Sequence, residues 1–158
     1  MMKLIISLGI SQLLLITKAN ERAETKINNH VFGKHYWIVE SSTIVPALDV
    51  DMDGIPDTNL LIMQETCERD DADFFREDGV ILTHWGEMLC DDEEEEISET
   101  GTWKFNNEKQ LLTIKKDHSR KLMEAKLVKK TSNQLVFSSN HKSSKSDHVI
   151  TLKLKRKL

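Results

Sequence analysis

From Tyr36 onward, apolar and polar residues alternate in short runs separated by turn residues, the pattern of antiparallel strands with one face buried. No run of helical period competes with it. The last run is the plainest: Ile150, Leu152 and Leu154 alternate with Thr151, Lys153 and Lys155, so apolar side chains point inward and lysines face water. Met123, Ala125 and Leu127 alternate in the same way with Glu124, Lys126 and Val128, and the turn Thr131-Ser132-Asn133 brings Leu135 and Phe137 back beside them. Trp103 and Phe105 share a face ahead of the turn Asn106-Asn107-Glu108, which returns the chain as Leu111-Leu112-Thr113-Ile114. Asp78-Gly79, set between residues 72–76 and 80–85, is the strongest hairpin signal. With a long first strand from residue 35 to about residue 45, the pattern predicts eight strands, joined by short connections after the first. An all-β, eight-stranded antiparallel up-and-down barrel is the simplest fold, and closure removes its edges. Residues 58–64 do not fit a strand and read as one or two helical turns over one barrel end.

Composition narrows this picture. A chain of 158 residues, 39% hydrophobic and 30% charged, holds one globular core and is not a disordered segment. Its start differs from the rest: Met1, Met2 and Lys3 precede an apolar stretch over residues 4–16, broken by Ser7, Ser11 and Gln12. Thr17-Lys18-Ala19 then supplies small residues before a cut after Ala19. That stretch is too short to span the roughly 30 Å of a bilayer core. Residues 1–19 are therefore expected to be a signal peptide, 20–34 a lead-in and 35–158 the barrel, in the periplasm, secreted or at the cell surface. No transmembrane segment is expected. The alternative for the first residues is a buried N-terminal helix.

Export allows Cys67 and Cys90 to pair. They flank Asp78-Gly79 symmetrically, eleven residues on either side, so a hairpin folding there brings them opposite each other. The alternative is two buried free thiols.

The sharpest local motif is Asp49-Val50-Asp51-Met52-Asp53-Gly54-Ile55-Pro56-Asp57. Carboxylates on alternate residues around a glycine suit calcium, with Asp49, Asp51, Asp53 and Asp57 offering side-chain oxygens and Ile55 its carbonyl. The match to an EF-hand ends at the twelfth position, which is Leu60 where a bidentate Glu would stand, and no helix pair flanks the loop. The expected role is structural, pinning a long connection; the alternative is an acidic loop without metal. The run Asp91-Asp92-Glu93-Glu94-Glu95-Glu96 lacks a glycine and reads as a solvated loop.

Charge is uneven, with 9 Lys/Arg against 23 Asp/Glu up to residue 114 and 13 against 3 thereafter, for a net −4 overall. The barrel returns the basic strands beside the acidic first ones, so the halves compensate each other. A nucleic-acid surface is not expected, because the lysines alternate with core residues and no aromatic platform accompanies them. His30, His35, His84, His118, His141 and His148 form no zinc spacing and read as surface or strand residues. No nucleophile elbow, phosphate loop or dinucleotide fingerprint is present in the sequence, which points to binding rather than catalysis. Trp37, Trp85, Trp103, Phe105 and Phe137, with Phe74 and Phe75, either line a cavity for a small apolar ligand or fill the core.

Taken together, these residues resemble the small secreted bacterial lipocalin-like domain family. The resemblance runs from Gly33-Lys34-His35-Tyr36-Trp37 through Asp51-Met52-Asp53-Gly54, Thr58-Asn59-Leu60-Leu61 and Cys67-Glu68-Arg69-Asp70-Asp71. It continues over Phe75-Arg76-Glu77-Asp78-Gly79, Cys90 and Thr100-Gly101-Thr102-Trp103 to Leu112-Thr113-Ile114. His35 and Tyr36 depart from the family pattern, which tends to place Trp directly after Gly-Lys. The resemblance implies a lipocalin-type barrel outside the cytoplasm and names no ligand. The expected protein is a monomeric binding module for a small hydrophobic molecule; its rival is an envelope or surface protein–protein interaction domain whose barrel is filled solid.

Overall fold

The computed structural model describes residues 31–91, 95–144 and 146–158. Residues 1–19, expected to be a signal peptide, and residues 20–30 of the expected lead-in lie outside the described residues, as does part of the second acidic run. The strands are β1 (Tyr36–Leu48), β2 (Asp57–Asn59), β3 (Ala72–Phe75), β4 (Val80–His84), β5 (Ile97–Asn106), β6 (Leu111–Lys116), β7 (Met123–Lys130), β8 (Gln134–Lys142) and β9 (Asp147–Arg156). They are hydrogen-bonded in the order β2-β1-β3-β4-β5-β6-β7-β8-β9, and β1 also pairs with β9. The eight strands other than β2 thus close into an antiparallel up-and-down barrel, as the alternation predicts.

β2 is the element that alternation does not reveal. β3 pairs only with the start of β1, through Tyr36↔Phe74 and Trp37↔Asp73. The rest of that edge would hold bare amides and carbonyls, and β2 covers it through Thr43↔Asn59 and Leu48↔Asp57. On its other side β1 follows β9 as far as Val45↔Val149, its expected end, and the Leu48↔Asp57 pair with β2 carries the strand three residues further.

One barrel end is closed by short turns. At the first of these, Arg76 N–H donates to the Val80 carbonyl at 2.9 Å and Gly79 N–H to the Arg76 carbonyl at 3.0 Å. Gly79 sits at φ +89°, a left-handed conformation that a side chain resists, which makes Glu77-Asp78-Gly79 a three-residue hairpin loop. The core occupies this end: Trp37, Phe75, Ile81, Trp103, Leu135 and Phe137 are all buried. The lead-in also enters it. Val31 and Phe32 are buried among the same side chains, with Phe32 only 1% exposed, so the packed domain begins before residue 35. The Phe32 ring stacks on Phe75 at 3.6 Å between centroids and meets Trp103 edge-on at 5.1 Å.

The opposite end carries the long connections. Part of the expected helical turn becomes β2, and the remainder is a 3-10 turn at Leu60–Met63 followed by another at Thr66–Glu68. Asn59 nucleates the first by accepting the Leu61 N–H on its side-chain oxygen at 3.1 Å. Neither turn buries a residue, so both lie over the barrel end as a cover. Cys67 in the second turn is disulfide-bonded to Cys90 in the β4–β5 connection, joining two loops across this end.

Candidate functional site

The barrel interior is filled at the closed end and hollow at the other. A cavity of about 400 Å³ runs in from the loops. Its apolar wall comes from Trp37, Val39, Leu112, Ile114, Leu152 and Leu154, inward positions on β1, β6 and β9. A neighbouring cavity of about 410 Å³ lies toward β7 and β8, and Leu112, Met123 and Leu152 line both. Both volumes are within the range of small-molecule sites.

The aromatic residues divide between the two expected roles. Trp37 and Trp85 line the first cavity and Phe137 the second. Trp103 and Phe105 line neither and are buried in the core. Each indole has a partner for its N–H: Trp37 donates to the Phe32 carbonyl at 2.9 Å, Trp85 to Ser98 Oγ at 3.1 Å and Trp103 to the Arg76 carbonyl at 3.0 Å.

A polar cluster in the first cavity has no counterpart in the sequence reading. Asp73 on β3, Thr83 on β4 and Lys116 on β6 line it. Thr83 is 4% exposed and donates its hydroxyl to Asp73 Oδ1 at 2.6 Å. Lys116 Nζ stands 3.4 Å from both oxygens of Asp73 and 3.4 Å from Thr100 Oγ1. The signal was parity: Asp73 lies two residues before inward Phe75, Thr83 two after Ile81 and Lys116 two after Ile114. Above the cluster, Gln64, Glu68 and Arg69 of the covering segment reach the cavity mouth.

The acidic loop folds back on itself outside the barrel. Gly54 N–H donates to Asp49 Oδ2 at 3.0 Å and Val50 N–H to Asp57 Oδ2 at 3.1 Å. Gly54 takes φ +92°, as the tight turn requires. The carboxylates of Asp49, Asp51 and Asp57 come together, with one oxygen from each inside a 4.8 Å radius of the others. Asp53 is not in that group; its carboxylate accepts the Ile55 N–H at 2.7 Å. Asp49 Oδ1 is buried with no hydrogen-bond partner among the described residues. Three carboxylates at this spacing repel one another, and a hard cation with oxygen ligands would relieve them.

His148 is a strand residue, as the sequence suggests, but a buried one. It is 2% exposed on β9, with Nδ1 at 2.7 Å from the Pro46 carbonyl and Nε2 at 2.9 Å from Ser146 Oγ. The carbonyl can only accept, which makes Nδ1 the protonated nitrogen.

Fold and cavity together define a small closed β-barrel with a chamber that opens among its loops. Compared with protein-family models, curated proteins and solved structures, the chain matches none.

Proposed function

We propose that this protein is an exported binding module of lipocalin-like type that takes a small apolar molecule into the open half of its barrel and carries out no catalysis. The observation that supports this most is the apolar cavity, which a solid-filled interaction barrel would lack. The sequence resemblance to small secreted bacterial lipocalin-like domains agrees with it. The Cys67–Cys90 disulfide and the absence, among the described residues, of a helix long and apolar enough to cross a membrane are compatible with export. Calcium in the 49–57 loop, held by Asp49, Asp51 and Asp57, is the structural cofactor of this reading.

Titration with the neutral fluorophore N-phenylnaphthylamine tests the binding reading. Wild-type protein should give saturable enhancement with a change in tryptophan emission, since Trp37 and Trp85 face the cavity. Leu152→Trp, which places an indole where the two cavities adjoin, should abolish the signal while the protein still melts cooperatively. A wild-type protein with no saturable signal, or a variant that binds unchanged, would overturn the reading.

A further inference from the structure

The polar cluster bears on what kind of head group the ligand carries, an inference that rests on the ligand-cavity reading above. Its hydrogen bonds run in one direction. Thr83 spends its single proton on Asp73 Oδ1, so in the 2.7 Å contact between Thr83 Oγ1 and Thr100 Oγ1 it is Thr100 that donates. Asp73 is thereby fixed by a short bond from a buried hydroxyl. Lys116 is held less closely: its three contacts are all 3.4 Å, longer than the roughly 2.7–2.9 Å of a close charge-assisted bond, and its side chain is 43% exposed. An ammonium and a carboxylate thus stand side by side on the cavity wall, where one polar atom beside them can reach both.

The pair faces an apolar wall. In the barrel order, β9 lies across from β4 and β5, and it contributes Leu152 and Leu154. A ligand with its chain on that wall sets its head beside Asp73 and Lys116. A carboxylate head would gain Lys116 and meet Asp73; an amine would gain Asp73 and meet Lys116. Either one leaves a like charge beside it in a partly desolvated site. The mouth supplies no field of a single sign to offset this, since Glu68, Asp71 and Arg69 also line the cavity. An uncharged head that both accepts and donates satisfies the two groups at once: it accepts from Lys116 and donates to Asp73.

We infer that the cavity selects neutral amphiphiles with a hydroxyl or amide head, and that the Asp73–Lys116 pair is the specificity device that turns away charged heads of equal chain length.

Competition against N-phenylnaphthylamine with decanol, decanoate and decylamine tests this. Decanol should displace the fluorophore at about tenfold lower concentration than either charged compound. Asp73→Asn keeps an acceptor for Thr83 and removes the negative charge, so the order should move about tenfold toward decanoate; Lys116→Met should move it about tenfold toward decylamine. Wild-type protein that takes decanoate or decylamine as well as decanol, or two folded variants that keep the wild-type order, would overturn the inference and leave the cavity reading standing. Should either variant fail to fold, the wild-type order decides alone. If the fluorophore itself does not bind, both readings fall.

Discussion

Phe32 is the residue on which the closed end depends. Its ring contacts three aromatic neighbours, Phe75, Trp103 and Phe137, and its carbonyl holds the Trp37 indole. Phe32→Ala should cost about 3–5 kcal/mol, the range for an aromatic removed from a packed core, seen as a lower urea midpoint at unchanged slope. That is a large share of the roughly 5–15 kcal/mol that holds a domain together. The sequence conceals this role because Val31-Phe32 is a lone apolar pair after Asn28-Asn29-His30, with no alternation on either side. At the first hairpin, the Arg76 guanidinium lies 2.8 Å from Asp78 and 2.8 Å from Glu99. It holds the Asp78 carboxyl below the ordinary carboxylate range, mainly through that hydrogen bond. A depressed folded value stabilises above the unfolded value and is lost as pH falls through the folded one. The stability difference between wild type and Arg76→Met should therefore be full at about pH 7 and shrink below about pH 4, a small effect at an exposed site. Urea midpoints of the two proteins across that range check it.

Among the elements, strands were legible wherever one face is buried, because parity alone settles which side chains point inward. Leu152 and Leu154 with Lys153 and Lys155 are the plainest instance, and all four lie as the pattern requires. Parity also places Thr83 and Lys116 inside, yet hydrophobicity does not flag them, and so the polar part of the cavity went unread. β2 is three residues long and carries no apolar face, which leaves nothing for a periodic signal to register. The covering loops are elements with little burial of their own, and the Cys67–Cys90 bond ties them. Replacing both cysteines with serine should cost about 2–4 kcal/mol by freeing the unfolded chain. Thermal unfolding of the double variant and of reduced wild type should agree; an unchanged melting temperature in both would show that the bond does not stabilise by restricting the unfolded chain.

For the molecule as a whole, charge follows the barrel's two halves. Lysines at Lys126, Lys129, Lys153 and Lys155 are exposed on β7 and β9, while the acidic loops gather around the open end. The Lys116–Asp73 pair is a point where the halves meet inside the barrel. The 49–57 loop is itself a concentration of like charge. Calcium there should stabilise the whole protein, because the loop connects the longest strand to the cover. At about a hundredfold excess over the dissociation constant the gain should reach about 2–3 kcal/mol, a rise of several degrees in melting temperature. Asp49→Asn with Asp57→Asn should remove the rise, and a wild-type protein indifferent to both calcium and chelator would exclude the metal. The alternating carboxylates are plain in the sequence, but spacing alone does not show that Asp49, Asp51 and Asp57 converge while Asp53 stays outside their group.

The seam between β1 and β9 sets a rule for how the barrel can be made. Most of the first strand pairs with β9, from Trp37↔Arg156 to Val45↔Val149, so its hydrogen bonds wait until β9 has emerged. A ribosome part-way along this message holds a sheet with two raw edges, β1 and whichever strand came last. Such a chain remains an unclosed sheet until β9 has been made. A version ending before Asp147 should stay in that unfinished condition: it should aggregate on its own, and a separate peptide spanning β9 should restore solubility by closing the seam.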